Sequence, residues 1–276
     1  MNAPITRKVT VRPSVPHDRE PDTRTGSRPR RAARHRPASG LLALISAAAV
    51  LGGLTACTSA PEALTTPCGV VIDGSGSGDA TKNGFNAEAK LKAELLPFLE
   101  DQECGTVDFA PITYTSQISS CKVDRVDLDP PHKETTDQDS QRERARVRAA
   151  GEALEELKCA RRERPGSDVW GALDRIASVM PSDGPDAKLL VVSDFEQADP
   201  EFSLGKADLT TPESRDKVID SLVKERGVTA VKGMTVYTVG FGMKFGDRPS
   251  EYEDFEAFWN EVLEGRAKAD VDNSYE

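Results

Sequence analysis

The chain has 276 residues and a formal charge of −10, from 46 Asp and Glu against 36 Lys and Arg. That charge is unevenly placed: residues 1–40 hold ten Lys/Arg and three acids, residues 41–56 hold no charged side chain, and residues 57–276 carry the balance of −17. So acidic a body argues against nucleic acid as a partner, and it fits cation binding, a basic protein surface or a solvated acidic face.

The basic start leads into Leu41-Leu42-Ala43-Leu44-Ile45-Ser46-Ala47-Ala48-Ala49-Val50-Leu51. This run is too short for a comfortable transmembrane helix and has the length of a secretory apolar core. Leu54-Thr55-Ala56-Cys57 resembles the bacterial lipoprotein lipobox. That resemblance implies cleavage before Cys57, lipidation of its sulfur, and an exported protein anchored on the extracytoplasmic side. Stable anchoring takes more than one acyl chain. The expected organisation is a signal peptide over 1–56 and a lipidated Cys57 with a short tether over 57–67. One domain then spans 68–265, with a flexible tail over 266–276. The 220 residues from Cys57 onward suffice for one α/β domain with a sizeable core.

From Cys68, Val70-Val71-Ile72-Asp73 is an apolar, β-branched run of the kind buried in parallel sheets. Ala87, Leu91, Leu95, Phe98 and Leu99 predict a helix over about 80–101, bent or ended near Pro97. Thr106 to Tyr114 reads as a strand made irregular by Pro111. Lys122 to Leu128 alternates like a half-exposed edge strand, and Asp129 to Asp139 reads as a loop. Over Ser140 to Arg161, Val147, Ala150, Leu154 and Leu157 predict one helical face, with charges on the other.

Arg164-Pro165-Gly166 breaks that helix, and Val169, Leu173, Ile176, Ala177 and Met180 predict the next. Lys188 to Asp194 is the clearest buried strand. A helix through Val218, Ile219, Leu222 and Val223, a strand over Thr235 to Phe241 and a helix through Phe255 to Leu263 complete the pattern. Strands alternating with helices imply an α/β fold: a doubly wound, mostly parallel sheet with helices on both faces and one antiparallel edge strand.

Four cysteines remain after Cys57, and in an exported chain they suggest two disulfides with three possible pairings. Cys68-Gly69 and Cys104-Gly105 open the first two strands, which lie side by side in such a sheet. The expected bridges are therefore Cys68–Cys104 and, by elimination, Cys121–Cys159. With no C-x-x-C pair and His132 the sole histidine after Cys57, a zinc site is not expected.

The chemistry concentrates where strands end. Asp73-Gly74-Ser75-Gly76-Ser77 follows the first strand, Val191-Val192-Ser193-Asp194 ends another, and Pro165-Gly166-Ser167-Asp168-Val169-Trp170-Gly171 opens a helix. In that order the three segments resemble the metal-ion-dependent adhesion site of von Willebrand factor A domains. Gly233 to Gly240 resembles that family's fifth strand, so the resemblance covers roughly residues 68–264. It implies that Asp73, Ser75, Ser77, Ser167 and Asp194 hold Mg²⁺ or Mn²⁺, and that a protein partner can donate a carboxylate to an open position.

Hard oxygen ligands of this kind suit either ion; two carboxylates roughly neutralise it and neutral hydroxyls leave it electrophilic. Two positions depart from the pattern. Ser167 stands where threonine is usual, with Asp168 beside it as an alternative ligand, and Phe195 stands where glycine is usual.

Enzyme motifs are missing or incomplete: no phosphate loop, no G-x-G-x-x-G and no nucleophile elbow around Ser75 or Ser77. Ser119-Ser120-Cys121-Lys122 fits S-x-x-K without its companion motifs. A phosphotransferase using Asp73 would want a second acid at position 75, which is serine. The expectation is a non-enzymatic, metal-dependent binding protein, touching membrane only through its lipid. A metal-free scaffold and a cation-dependent hydrolase are the alternatives.

Overall fold

Val70 and Ile72 point to one side of the first strand and Val71 to the other, and this period of two recurs through the sheet. The computed structural model describes residues 61–79, 84–133, 135–181 and 187–275, within the second of two units, 57–276. The leader, the lipidation of Cys57 and the helix start expected at residue 80 lie outside the described residues.

The sheet has six strands: β1 (Thr66–Asp73), β2 (Cys104–Ile112), β3 (Val126–Asp127), β4 (Lys188–Val192), β5 (Thr235–Val239) and β6 (Asp270–Asp272). Their order is β3-β2-β1-β4-β5-β6. Every pairing is parallel except β2 with β3, the antiparallel edge expected from the alternating segment. Helices α1 (Ala87–Asp101) and α2 (Gln138–Ala160) cover one face; α3 (Val169–Val179), α4 (Pro212–Arg226) and α5 (Pro249–Asn260) cover the other. The chain is thus a doubly wound α/β fold. Both expected disulfides are formed, Cys68–Cys104 and Cys121–Cys159. No described helix is long and apolar enough to cross a membrane.

Several local expectations are corrected. Asn86 caps α1, accepting the Ala89 N–H at 3.2 Å, and the helix runs through Pro97 because its buried stripe continues to Phe98 and Leu99. Strand β2 also continues through Pro111: β3 pairs with β2 only at Thr106 and Val107, so Pro111 has no ladder partner to lose on that side. The edge strand is shorter than expected, two residues only, and Arg125 just before it grips the Asp108 carboxylate at 2.9 and 3.0 Å.

Helix α2 begins at Gln138, two residues early, and leaves Val147 58 % exposed. Its inner stripe is Ala149, Ala153, Leu157 and Ala160, and the alanines let it lie close to β1. A Cβ at Gly74 would stand 2.3 Å from that of Ala160. The tail is not loose: Ala267 and Ala269 are buried, β6 pairs with β5, and the Tyr275 ring lies 5.3 Å from Tyr237 and 6.0 Å from Phe98. A three-residue strand whose only large apolar residue is Val271 carries too short an alternation to announce itself.

Glu156 lies on that inner stripe of α2, fully buried, with neither carboxylate oxygen hydrogen-bonded. Burial pushes its pKa from 4.5 up to about 7. Between those values the folded chain holds a proton that the unfolded chain releases, so stability falls as pH rises through this window. Glu156→Gln is expected to be more stable than the parent by roughly 2 kcal/mol at pH 8 and to match it near pH 4. Urea denaturation of both proteins at the two pH values measures this; equal stability at pH 8 would mean that Glu156 finds a partner in solution.

Candidate metal centre

The strand order reverses between β1 and β4, and a doubly wound sheet opens a crevice at the carboxyl ends of such a strand pair. Asp73 is the last residue of β1, is completely buried, and has both oxygens engaged. The Ser75 N–H donates to Oδ1 at 2.8 Å and the Ser193 hydroxyl to Oδ2 at 2.7 Å. The chain then makes one tight turn, Gly76–Gly78, which sets the Ser75 and Ser77 hydroxyls 2.9 Å apart. Asp194 follows β4; its carboxylate accepts the Glu196 N–H at 3.0 Å and is hydrogen-bonded by Ser77.

Ser167 arrives from the segment before α3. Its N–H and carbonyl both pair with Ala198, at 2.7 Å each. Its Oγ is buried and has no partner. Ser75, Ser77 and Ser167 line one cleft of about 290 Å³, with Glu196 at its lip. Asp73 and Asp194 do not line this cleft; they lie behind it, tied to Ser75 and Ser77 by hydrogen bonds. A larger cleft of about 560 Å³, between the 199–207 segment and α4, contains none of them.

Asp168 is committed elsewhere. Its carboxylate caps α3 through the Gly171 N–H at 2.9 Å and accepts from the Ser116 N–H and Gln197 Nε2 at 3.1 Å each, with Arg226 at 3.5 Å. As an alternative metal ligand it would have to give up these donors.

Burial, and then the charge of Asp194, push Asp73 up to about 7; burial raises Asp194 as well. The Lys244 ammonium opposes that rise at Asp194, and it is itself bound to Glu196 at 2.6 Å. Two carboxylates and three hydroxyls, one of them the unpartnered Ser167 Oγ, form an all-oxygen donor set of the kind magnesium and manganese prefer. Among the described residues no group of three or more His, Cys, Asp or Glu side chains could hold a metal ion.

Phe195 adopts a left-handed conformation, φ +61°, at the position where the resemblance anticipates glycine. It is wholly buried. Its ring packs edge-on against Phe241 at 5.0 Å and Trp259 at 5.4 Å, and Trp259 Nε1–H donates to its carbonyl at 3.1 Å. Packing thus holds a backbone shape that glycine would adopt freely, and the glycine pattern is replaced without loss of the turn.

Sequence reasoning missed Ser193, Gln197, Ser116 and Arg226. Ser193 carried a signal, a hydroxyl within an otherwise apolar run. Gln197 carried none: its burial and its bonds to the Trp170 N–H and Asp168 exist only through distant segments. Compared with family models and with curated proteins, the chain matches none.

Proposed function

We propose that this chain is an exported, lipid-tethered protein like the von Willebrand factor A domains, which binds a protein partner through Mg²⁺ or Mn²⁺ held at the end of β1 and β4. The observation that carries this reading is a cleft lined by three serine hydroxyls, Ser167 Oγ among them unpartnered, with two buried and mutually repelling carboxylates hydrogen-bonded to the other two serines. A divalent cation would relieve the repulsion between Asp73 and Asp194 and give Ser167 Oγ a partner. The residues that would hold it are Asp73, Ser75, Ser77, Ser167 and Asp194. The ion, when bound, supplies an electrophilic position for a carboxylate of the partner.

One observation favours a second reading, a metal-free docking scaffold: both Asp73 oxygens are already hydrogen-bonded, to Ser75 and Ser193.

Thermal unfolding with and without Mg²⁺ or Mn²⁺, beside Asp73→Ala, separates the two. Metal at about 100 times its dissociation constant is expected to stabilise the parent by roughly 2.7 kcal/mol, a shift of about 5–10 °C that the variant lacks. A folded parent whose unfolding ignores both ions would favour the scaffold.

A further inference from the structure

Ser167 is held directly by Ala198 and, through its neighbour Asp168, by a single segment that grips Asp168 three times. The Asp168 N–H donates to the Thr113 carbonyl at 2.8 Å. The Ser116 hydroxyl donates to the Asp168 carbonyl at 2.6 Å, and the Ser116 N–H donates to its carboxylate at 3.1 Å. Yet the gripping segment, Thr113 to Cys121, has little regular structure of its own, a single turn at Ser116–Ile118.

Arg175 holds that segment from outside. Its Nη1 donates to the carbonyls of Ser116 and Ser119 at 3.0 Å each, and its Nη2 donates to the carbonyl of Cys121. Cys121 is in turn bonded to Cys159 of α2. Arg175 and Asp168 belong to the same helix: Asp168 caps α3, and Arg175 lies seven positions on, about two turns. The two residues thus clasp the 113–121 segment from both ends of a short closed circuit. Three carbonyls converging on one guanidinium suit the planar, five-donor fork of arginine.

We propose that Arg175 is a positioning residue for the candidate metal centre: it fixes the 116–121 segment so that Ser116 holds the Ser167–Asp168 corner and presents Ser167 Oγ to the crevice. Arg175 itself is not a ligand. The metal arm of its test rests on the proposed function; the corner's rigidity does not.

A residue that only stabilises the fold would lower the melting temperature and leave the corner unchanged. Arg125 supplies the comparison, since it also joins a carboxylate and a carbonyl, those of Asp108 and Val179, at the opposite end of α3 from Asp168. The experiment uses the disulfide-intact protein in detergent. It measures amide hydrogen exchange at Ser167 and Asp168 without metal, then Mn²⁺ affinity by calorimetry, for the parent, Arg175→Ala, Arg175→Lys and Arg125→Ala.

Arg175→Ala is expected to speed exchange at the corner and to weaken Mn²⁺ binding by tenfold or more. Arg175→Lys recovers part of both, and Arg125→Ala changes neither. Exchange in the Arg175 variants within twofold of the parent overturns the proposal, as does corner exchange that Arg125→Ala speeds equally. An Arg175→Ala protein that does not fold leaves Arg175→Lys to be read by the same criteria. A parent that binds no Mn²⁺ overturns the metal reading, and the exchange arm alone then decides for or against Arg175.

Discussion

Replacing Phe195 by alanine is expected to destabilise the folded chain by about 3–5 kcal/mol, and replacing it by glycine by about 1 kcal/mol less. The loss common to both is the buried ring, packed against Phe241 and Trp259. The difference comes from the backbone. Alanine keeps a Cβ at φ +61° and so keeps the strain; glycine has no Cβ and removes it. In an ordinary strand or helix the order is reversed, because glycine has more chain entropy to lose. Urea denaturation of the two variants beside the parent measures both quantities. Glycine costing more than alanine would mean that residue 195 is not left-handed in solution. Because Asp194 precedes it and Trp259 of α5 holds its carbonyl, both variants are also expected to weaken binding of Mg²⁺ at the crevice.

Loss of either disulfide is expected to lower stability by about 4 kcal/mol, since the bridges join residues 36 and 38 positions apart and each removes a similar loop entropy from the unfolded chain. Their effects on the crevice should differ. Cys68–Cys104 ties the starts of β1 and β2, at the opposite end of the sheet from Asp73. Cys121–Cys159 anchors the segment that carries Ser116, and through it the corner at Ser167. Cys68→Ala with Cys104→Ala should leave Mg²⁺ affinity unchanged, whereas Cys121→Ala with Cys159→Ala should weaken it severalfold. Denaturation and calorimetry on the two double variants check this; equal affinities would detach the second bridge from the crevice.

The strands were readable because burial imposes a period of two: Val70, Val71 and Ile72 must each meet apolar partners, on alternating sides. The disulfide pairing was readable because parallel neighbours in a sheet begin side by side. Helix α2 shows where such reading stops. Its stripe of larger apolar residues, Val147 included, suggested one inner face, but close approach to β1 selected the alanines and left Val147 in solvent.

The crevice divides in the same way. Asp73, Ser75 and Ser77 lie within five positions of one another, so a single strand end and one turn bring them together, and the amino-acid sequence by itself determines that cluster. It determines equally that a second buried strand leads into Asp194. What only the tertiary structure decided is the rest: that Ser167 pairs with Ala198 and faces the crevice, that Asp168 is consumed by four donors, and that Phe195 can hold a glycine's backbone shape. Each of these depends on segments tens of residues apart, where hydrogen bonds and packing are set by which loops the strand order places side by side, and no local periodicity records that order.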